Sequence, residues 1–420
     1  MNRMAERYGP LYTFRLPGRQ WVVVSDLGMI RDVMVAQRRS VAKGATMGEI
    51  RAMGIGYDGV NEADGDDWTH KRRVVQPAFA ADATARGASI VGEALDRVEA
   101  LLDRAGSGVV VDVLDLMNRF TLSVVCEFAF GFRSKALDSL TAAEPVMERE
   151  AFLTEEAVKR YQRTPAWKHL PLPSNFAVKR AVKAQVAFLE SLIAARRARG
   201  PVAGAEPDVL DLLLADRGPC GHGVSTAEVV MQMHSFLGPG TEAAAAALHW
   251  LLYMVSGDDE LGAEVARESA AIPEPGSLLE AIVAETFRVR TPVPLLFREA
   301  VADLRVGRWT VPKGAFVVCL LQRAHVDEQL WWSNATEFAP RRMREFLARD
   351  PARVKAQLHP FGIGPRRCVG EALGHLEVSM AAARLLRRFR FTAVGPRPPV
   401  PYLKVARVAK GGLRMRVERR

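Results

Sequence analysis

Long stretches with helical spacing of apolar residues dominate the chain, and short strand-like runs punctuate them. Residues 11–14 and 21–24 read as a strand pair around Pro17-Gly18. Residues 29–34 then read as helical. The pattern from 72 to about 104 is helical with Pro77 as an interruption, and 113–130 is a strongly apolar helix. A proline-rich turn runs from Pro165 to Pro173. A long basic amphipathic helix follows over 175–199 and stops at Gly200-Pro201. Ser225 with Glu228 three residues on marks an N-cap, and helical character then continues to about Val255. At 1.5 Å per residue such a helix is about 45 Å long and crosses a large domain. Gly238-Pro239-Gly240 lies in its middle, where a proline should deform the backbone. That signals either a break between two helices or a helix opened where a ligand sits against it.

Beyond it, 278–290 is helical and is ended by Pro292 and Pro294, and strand-like runs reach 321. After His325 the chain reads as irregular, with Trp331-Trp332 and Phe338-Ala339-Pro340-Arg341-Arg342. A glycine-rich loop leads into a helix over 371–388, and the end reads as strands with a Gly411-Gly412 turn between them. The expectation is a mainly α fold with small β-sheets. With no repeats and no separating linker, 1–420 is expected to be one domain with small N-terminal and C-terminal β regions.

Composition narrows the function classes. With 420 residues, 49% of them hydrophobic, the chain can bury a large core, and 4 cysteines rule out a disulfide-stapled module. The net charge of +10 is concentrated: residues 384–420 hold twelve basic residues and one acid, which leaves the first 383 at about −1. That stretch fits a solvated edge or a patch for an acidic partner. No nucleic-acid motif accompanies it. No secretion signal and no transmembrane anchor are visible, so a cytoplasmic protein is expected.

Cys368 stands apart from Cys126, Cys220 and Cys319. Glycines and a proline surround it, and Arg366 and Arg367 precede it. Glycines allow close backbone approach to a ligand, nearby arginines favour thiolate, and the helix starting near Gly370 adds its positive end. A stabilised anionic sulfur on a rigid loop suits either a nucleophile or a single axial metal ligand.

At this point the chain resembles a known family. Phe361 to Gly370 matches the cytochrome P450 haem-binding signature, F-x-x-G-x-R-x-C-x-G, at every fixed position. Glu285-Thr286-Phe287-Arg288 resembles the family's E-x-x-R helix, and Phe338 to Arg342 resembles its meander. Trp68 to Arg72, running on to Pro77-Ala78-Phe79, resembles its W-x-x-x-R helix. The likeness spans nearly the whole chain and looks closer to the fatty-acid-hydroxylase and microsomal-like branch than to typical short bacterial members. It implies the cytochrome P450 fold, with the long central helix crossing over haem b. Cys368 would be the axial thiolate and metal ligand, with Phe361 beside the sulfur. Arg366, Trp68, Arg72 and Arg298 would hold the propionates, and Gly364 would allow close approach to the porphyrin. Glu285 and Arg288 would pair with Arg342 in a buried structural triad.

The central helix departs from the family's [AG]-G-x-[DE]-T-[TS]. Here Pro239-Gly240-Thr241-Glu242-Ala243-Ala244 keeps the acid, Glu242, and replaces the neighbouring alcohol with Ala243. Proton delivery then falls to Thr241 through a shifted register, to a substrate hydroxyl or water, or to an atypical or peroxide-using reaction. The pocket outline is residues 47–55, then Phe236, Leu237, Gly240 and Ala243, then Val293, Pro294 and Leu295. These are mostly apolar or small, so a lipophilic substrate is expected.

The resemblance implies a monooxygenase that takes electrons from a ferredoxin or other separate donor, and a basic face at Arg384, Arg387 and Arg388 would suit an acidic one. Residue usage suggests a GC-rich bacterial source. A terpenoid or polyketide secondary metabolite is the expected substrate class, with fatty-acid hydroxylation as the alternative. A non-catalytic haem-binding or sensing protein is the contrasting class. A monomer is expected.

Overall fold

The computed structural model describes the whole chain except residues 17–18, 45–58, 81–82, 142–143, 162–169, 201–205, 219–220, 269–273 and 396–397. The 47–55 lid, the Pro17-Gly18 turn and most of the proline-rich turn therefore lie outside the described residues.

Two helices at the centre set the architecture. The first, Val113–Phe130, begins at Asp112, whose side chain accepts the Leu114 and Asp115 amides. It ends at Gly131 in the left-handed conformation at φ 56°. The second, Thr226–Val255, is capped by the Ser225 hydroxyl and packs along the first. Both are apolar almost all round, as helices enclosed on every side must be.

The central helix does not break at Pro239. An interior proline costs roughly 3 kcal/mol, and its missing N–H removes the ordinary partner of the Ser235 carbonyl. Burial on both flanks offsets that cost. Thr241 Oγ1 donates to Leu237 O at 2.7 Å, and Thr121 Oγ1 of the neighbouring helix donates to Thr241 O at 2.9 Å. A Cβ at Gly240 would lie 2.8 Å from Val125 Cγ2, so the glycine is what lets the two helices meet there.

Around this pair stand Ala83–Ala105, Leu278–Val289 and Glu371–Arg388, which share one core cluster with them. Pro145–Tyr161, Pro173–Arg199 and Val209–Ala215 cover the other flank. A five-stranded sheet closes one end, in the order Leu11–Leu16, Arg19–Val24, Phe316–Leu320, Leu295–Ala300, Val41–Ala42. Its pairings are antiparallel except Arg19–Val24 with Phe316–Leu320. Arg414–Arg419 lies between Val109–Asp112 and Phe389–Ala393 in a second sheet, and Pro401–Leu403 pairs with Arg407–Ala409 in a hairpin. The Gly411-Gly412 turn thus links strands of different sheets.

The irregular reading after His325 is corrected in part. Pro340–Arg349 and Pro351–Gln357 are helices, each with proline in its first turn. Proline there starts a helix rather than stopping one.

The expected triad is also corrected. Glu285 and Arg288 are fully buried and bonded twice, Nε to Oε2 at 2.6 Å and Nη2 to Oε1 at 2.7 Å. Arg288 also donates to the carbonyls of His325, Ala335 and Glu337, and Glu285 Oε1 accepts Ala339 N at 2.9 Å. Backbone groups fill the place expected for Arg342, which is exposed, donates to Ser333 O and lies over Trp332. The pair thereby ties the helix Leu278–Val289 to the loop ahead of the cysteine.

Candidate functional site

The cysteine loop is folded by its own backbone. Cys368 N donates to Phe361 O at 2.9 Å and Arg367 N to Gly364 O at 3.0 Å, with Gly362 and Gly364 at φ 83° and 79°. A Cβ at Gly364 would fall 2.4 Å from Met34 O, so only glycine lets the loop seat against the π-helical turn Asp32–Ala36. Phe361 stacks against His375 at 4.7 Å and meets Phe287 edge-on at 5.5 Å, which fixes its ring. His359 N donates to His325 Nε2 at 3.0 Å and anchors the start of the loop.

Cys368 is exposed at its own surface yet lies deep within the fold, so the sulfur borders an opening that the protein largely encloses. Burial raises its thiol pKa. The Gly370 amide, then Arg72 and Arg367, pull the other way without prevailing. A coordinated metal ion deprotonates a thiol outright, and the same amide and arginines then favour the anion.

Four elements converge beside this loop. Arg366 lies over the Trp68 ring at 4.6 Å, and its Nη2 donates to Ala63 O at 2.5 Å and Asp64 Oδ1 at 2.6 Å. Its Nη1 is buried without a partner. Arg298, on the strand Leu295–Ala300, is 6% exposed, and among the described residues its side chain donates to its neighbour Phe297 O at 2.7 Å. Lys43 was missed by sequence reasoning, because it belongs to no motif. Burial lowers its pKa to about 7, with Arg298 and Arg366 adding to the shift and Glu62 and Asp64 opposing it. Lys43 keeps part of its surface open, so this burial too is depth beside an opening rather than tight packing. Asp64 binds the group together, accepting Lys43 N at 3.0 Å and Gly44 N at 3.2 Å besides Arg366.

Arg72 stands elsewhere. Its Nη1 donates to Arg367 O at 3.0 Å, on the cysteine side rather than with Arg366 and Arg298.

The central helix has a solvent-open stretch in its middle. Pro239 is exposed and Ala243, one turn on, is half-buried, although the helix is otherwise core. Of the four positions expected to face a pocket, Leu237 is buried in the core and Gly240 turns its bare side to Val125. Phe236 stacks on Phe79 at 5.9 Å. Thr241 is buried with its hydroxyl committed to Leu237 O, so the register-shift route for proton delivery is absent. Glu242 turns toward Thr154 on the helix Pro145–Tyr161 and toward the Ala406 backbone and Lys404 of the hairpin. Burial pushes its pKa up to about 7 against those groups. Glu150, on that same helix, is raised to about 8 by burial and accepts Gln185 Nε2 at 2.9 Å. Neither Glu150, on a helix, nor the buried Glu62, in the turn ahead of Gly65–Val75, carried any sequence signal, since isolated acids read as surface.

The basic face expected at Arg384, Arg387 and Arg388 is corrected for the first and last of these, while Arg387 is exposed. Arg384 binds Glu99 at 2.8 Å and Asp96 at 2.7 Å, and Arg388 binds Glu99 at 2.6 Å and also Asp103. Their charge is spent joining helix Glu371–Arg388 to helix Ala83–Ala105.

These residues fit haem. The sulfur of Cys368 is open, Arg366 has a buried N–H without an acceptor, and three cations outnumber two carboxylates, as a dianionic group requires. Among the described residues no other cluster of His, Cys, Asp and Glu could hold a metal ion, and no helix is long and apolar enough to cross a membrane.

Comparison with known proteins agrees. Cytochrome P450 72A15 of Arabidopsis thaliana is 27% identical over 79% of this chain and 67% of its own length. LUTEIN DEFICIENT 5, chloroplastic, of Arabidopsis thaliana is 26% identical over 98% of this chain and 72% of its own. A bifunctional cytochrome P450/NADPH--P450 reductase of Fusarium oxysporum is 27% identical over 94% of this chain and 38% of its own. These relatives are plant and fungal and give no support to a bacterial source. The family model for cytochrome P450 matches residues 1–412, and the chain belongs to that family.

Proposed function

We propose that this enzyme, with haem b as its cofactor, is a monooxygenase of lipophilic small molecules in which Cys368 would hold the haem iron through its sulfur. The observation that carries the assignment is the accessible Cys368, deep in the fold on its glycine loop, two residues after Arg366, whose electrostatics are coupled to those of Arg298 and Lys43. Arg366, Arg298 and Lys43 would hold the propionates over Trp68, with Asp64 orienting Arg366 and Phe361 and Gly364 shaping the floor. Thiolate-ligated haem supplies dioxygen activation, in which one oxygen atom enters the substrate and the other leaves as water.

The chain's own residues manage shape and protons. Ala243 and Ala244 widen the space beside the central helix. Glu242, half-protonated near neutral pH, is the proton-carrying group next in the chain to Ala243. With Thr241 committed to its helix, the last transfer passes to water or a substrate hydroxyl. A peroxide-using reaction is the second reading, and Ala243 in place of the alcohol favours it. A terpenoid or polyketide fits the apolar wall, with fatty acids as the alternative.

Electrons come from a separate ferredoxin-like donor. Arg387, exposed on the helix Glu371–Arg388, is the part of the expected basic face left for an acidic donor, and Arg387→Glu should slow reduction more than it weakens substrate binding. The decisive experiment is turnover of lipophilic candidates with a surrogate ferredoxin system and, separately, with peroxide. Product in the first supports monooxygenation, product only in the second supports the peroxide reading, and haem binding without product in either would leave a sensor.

A further inference from the structure

Away from the haem site, two arginines meet without an acid. Arg290 caps the C-terminus of the helix Leu278–Val289, and Arg407 opens the last strand of the hairpin. Arg407 Nη2 donates to Val289 O at 2.9 Å and to Gln322 Oε1 at 2.6 Å, and Arg290 Nη1 reaches the same Val289 O at 3.4 Å. Both guanidinium groups therefore converge on one carbonyl. Arg290 also lies over Trp250 at 5.2 Å, and Trp250 Nε1 donates to Arg407 O at 2.8 Å, which fixes both backbones.

Neither arginine forms an ion pair among the described residues, and the Nε of each is buried without an acceptor. Burial lowers both pKa values, and Arg290 lowers that of Arg407 further, to about 10. The groups acting on them include no carboxylate. Carbonyls and the negative end of a helix attract cations, but they carry no net charge to cancel two. Two forked donors, largely buried but each keeping some exposed surface, with Tyr253 beside Arg290, suit a small, multiply bonded oxygen anion.

We propose that Arg290 and Arg407 form a binding site for a small oxyanion of the phosphate class, free or as a monoester. The hairpin that carries Arg407 also touches Glu242 through Ala406, so an anion here would brace the wall of the acid.

The test titrates the haem-loaded enzyme with inorganic phosphate and with glycerol phosphate, at ionic strength held constant with chloride, by calorimetry. Saturable binding of either by about 10 mM, where a millimolar site is mostly filled, is expected. Arg290→Gln should weaken it at least tenfold and Arg290→Lys less, because charge stays while the fork is lost. Arg290→Gln is the main variant, since Arg407 also holds Val289 and Gln322 in place. Absence of saturable binding by the wild type, or unchanged affinity in Arg290→Gln, overturns the site.

Discussion

Glu285→Ala should be among the most damaging single changes outside the haem site. It removes two short charge-assisted bonds to Arg288 and the acceptor of the Ala339 amide, and it leaves a guanidinium with no exposed surface. Breaking a buried pair from one side costs about 3–5 kcal/mol, because the remaining charge is uncompensated. At about 2.1 cal/mol/K of unfolding entropy per residue, 420 residues convert this to a fall of roughly 3–6 °C in Tm. Arg288→Met should cost as much, since it frees Glu285 and the carbonyls of His325 and Glu337 as well. The double variant should recover part of the loss but not all, because those carbonyls and the Ala339 amide stay without partners. The assay is a double-mutant cycle by denaturant unfolding of the haem-loaded protein, with haem retention followed in parallel. A loss below about 1 kcal/mol for Glu285→Ala, the range of an exposed pair, would refute the reasoning. So would strict additivity of the two single variants.

Three further outcomes are expected. Glu242 has a folded pKa of about 7, raised by burial, so the folded state binds the extra proton and stability from this group falls as pH rises from about 4.5 through 7. Glu242→Gln should abolish an activity limb near pH 7 and gain stability relative to wild type at pH 8 but not at pH 4, read from the pH–rate profile and from unfolding at both pH values. His325 is neutral and buried, donating through Nδ1 to Thr291 and accepting His359 N, with its pKa held down to about 3 by burial. Its contribution is present above its unfolded value near 6.5 and is lost as pH falls toward 3, by roughly 4–5 kcal/mol in all, so His325→Gln should flatten acid unfolding over that window. Lys43→Met and Asp64→Asn should each speed haem loss to an apoprotein acceptor at least several-fold, Asp64→Asn by releasing Arg366; unchanged loss rates in both would remove these residues from the cradle.

Some of this was legible along the chain. Periodicity placed Val113–Phe130 and Glu371–Arg388 at their observed ends, and the Ser225 cap began the central helix, because each is a local consequence of capping and of one helix's own face. The ten residues from Phe361 to Gly370 are close in sequence because one loop must present one sulfur. Other features depend on neighbours far along the chain. Whether Pro239 breaks its helix was decided by Thr121, 118 residues earlier in the chain, and by the core on either side, neither of which is a local signal. Pro340 was read as part of an irregular stretch although proline at a first turn starts a helix.

The sequence by itself determined the family, the cysteine, the acid Glu242 and the missing hydroxyl at Ala243, since each is a matter of residue identity at fixed spacing. Tertiary structure alone decided which charges are free. Arg384 and Arg388 look like a basic surface in sequence and are bound by acids some 285 residues away. Lys43 and Asp64 belong to no motif and yet share one site with Arg298 and Arg366. Arg290 and Arg407 stand 117 residues apart and converge on a single carbonyl. The physical reason is that Coulomb energy depends on distance and burial, and both are set by the packing of elements whose separation in the chain says nothing about their separation in space.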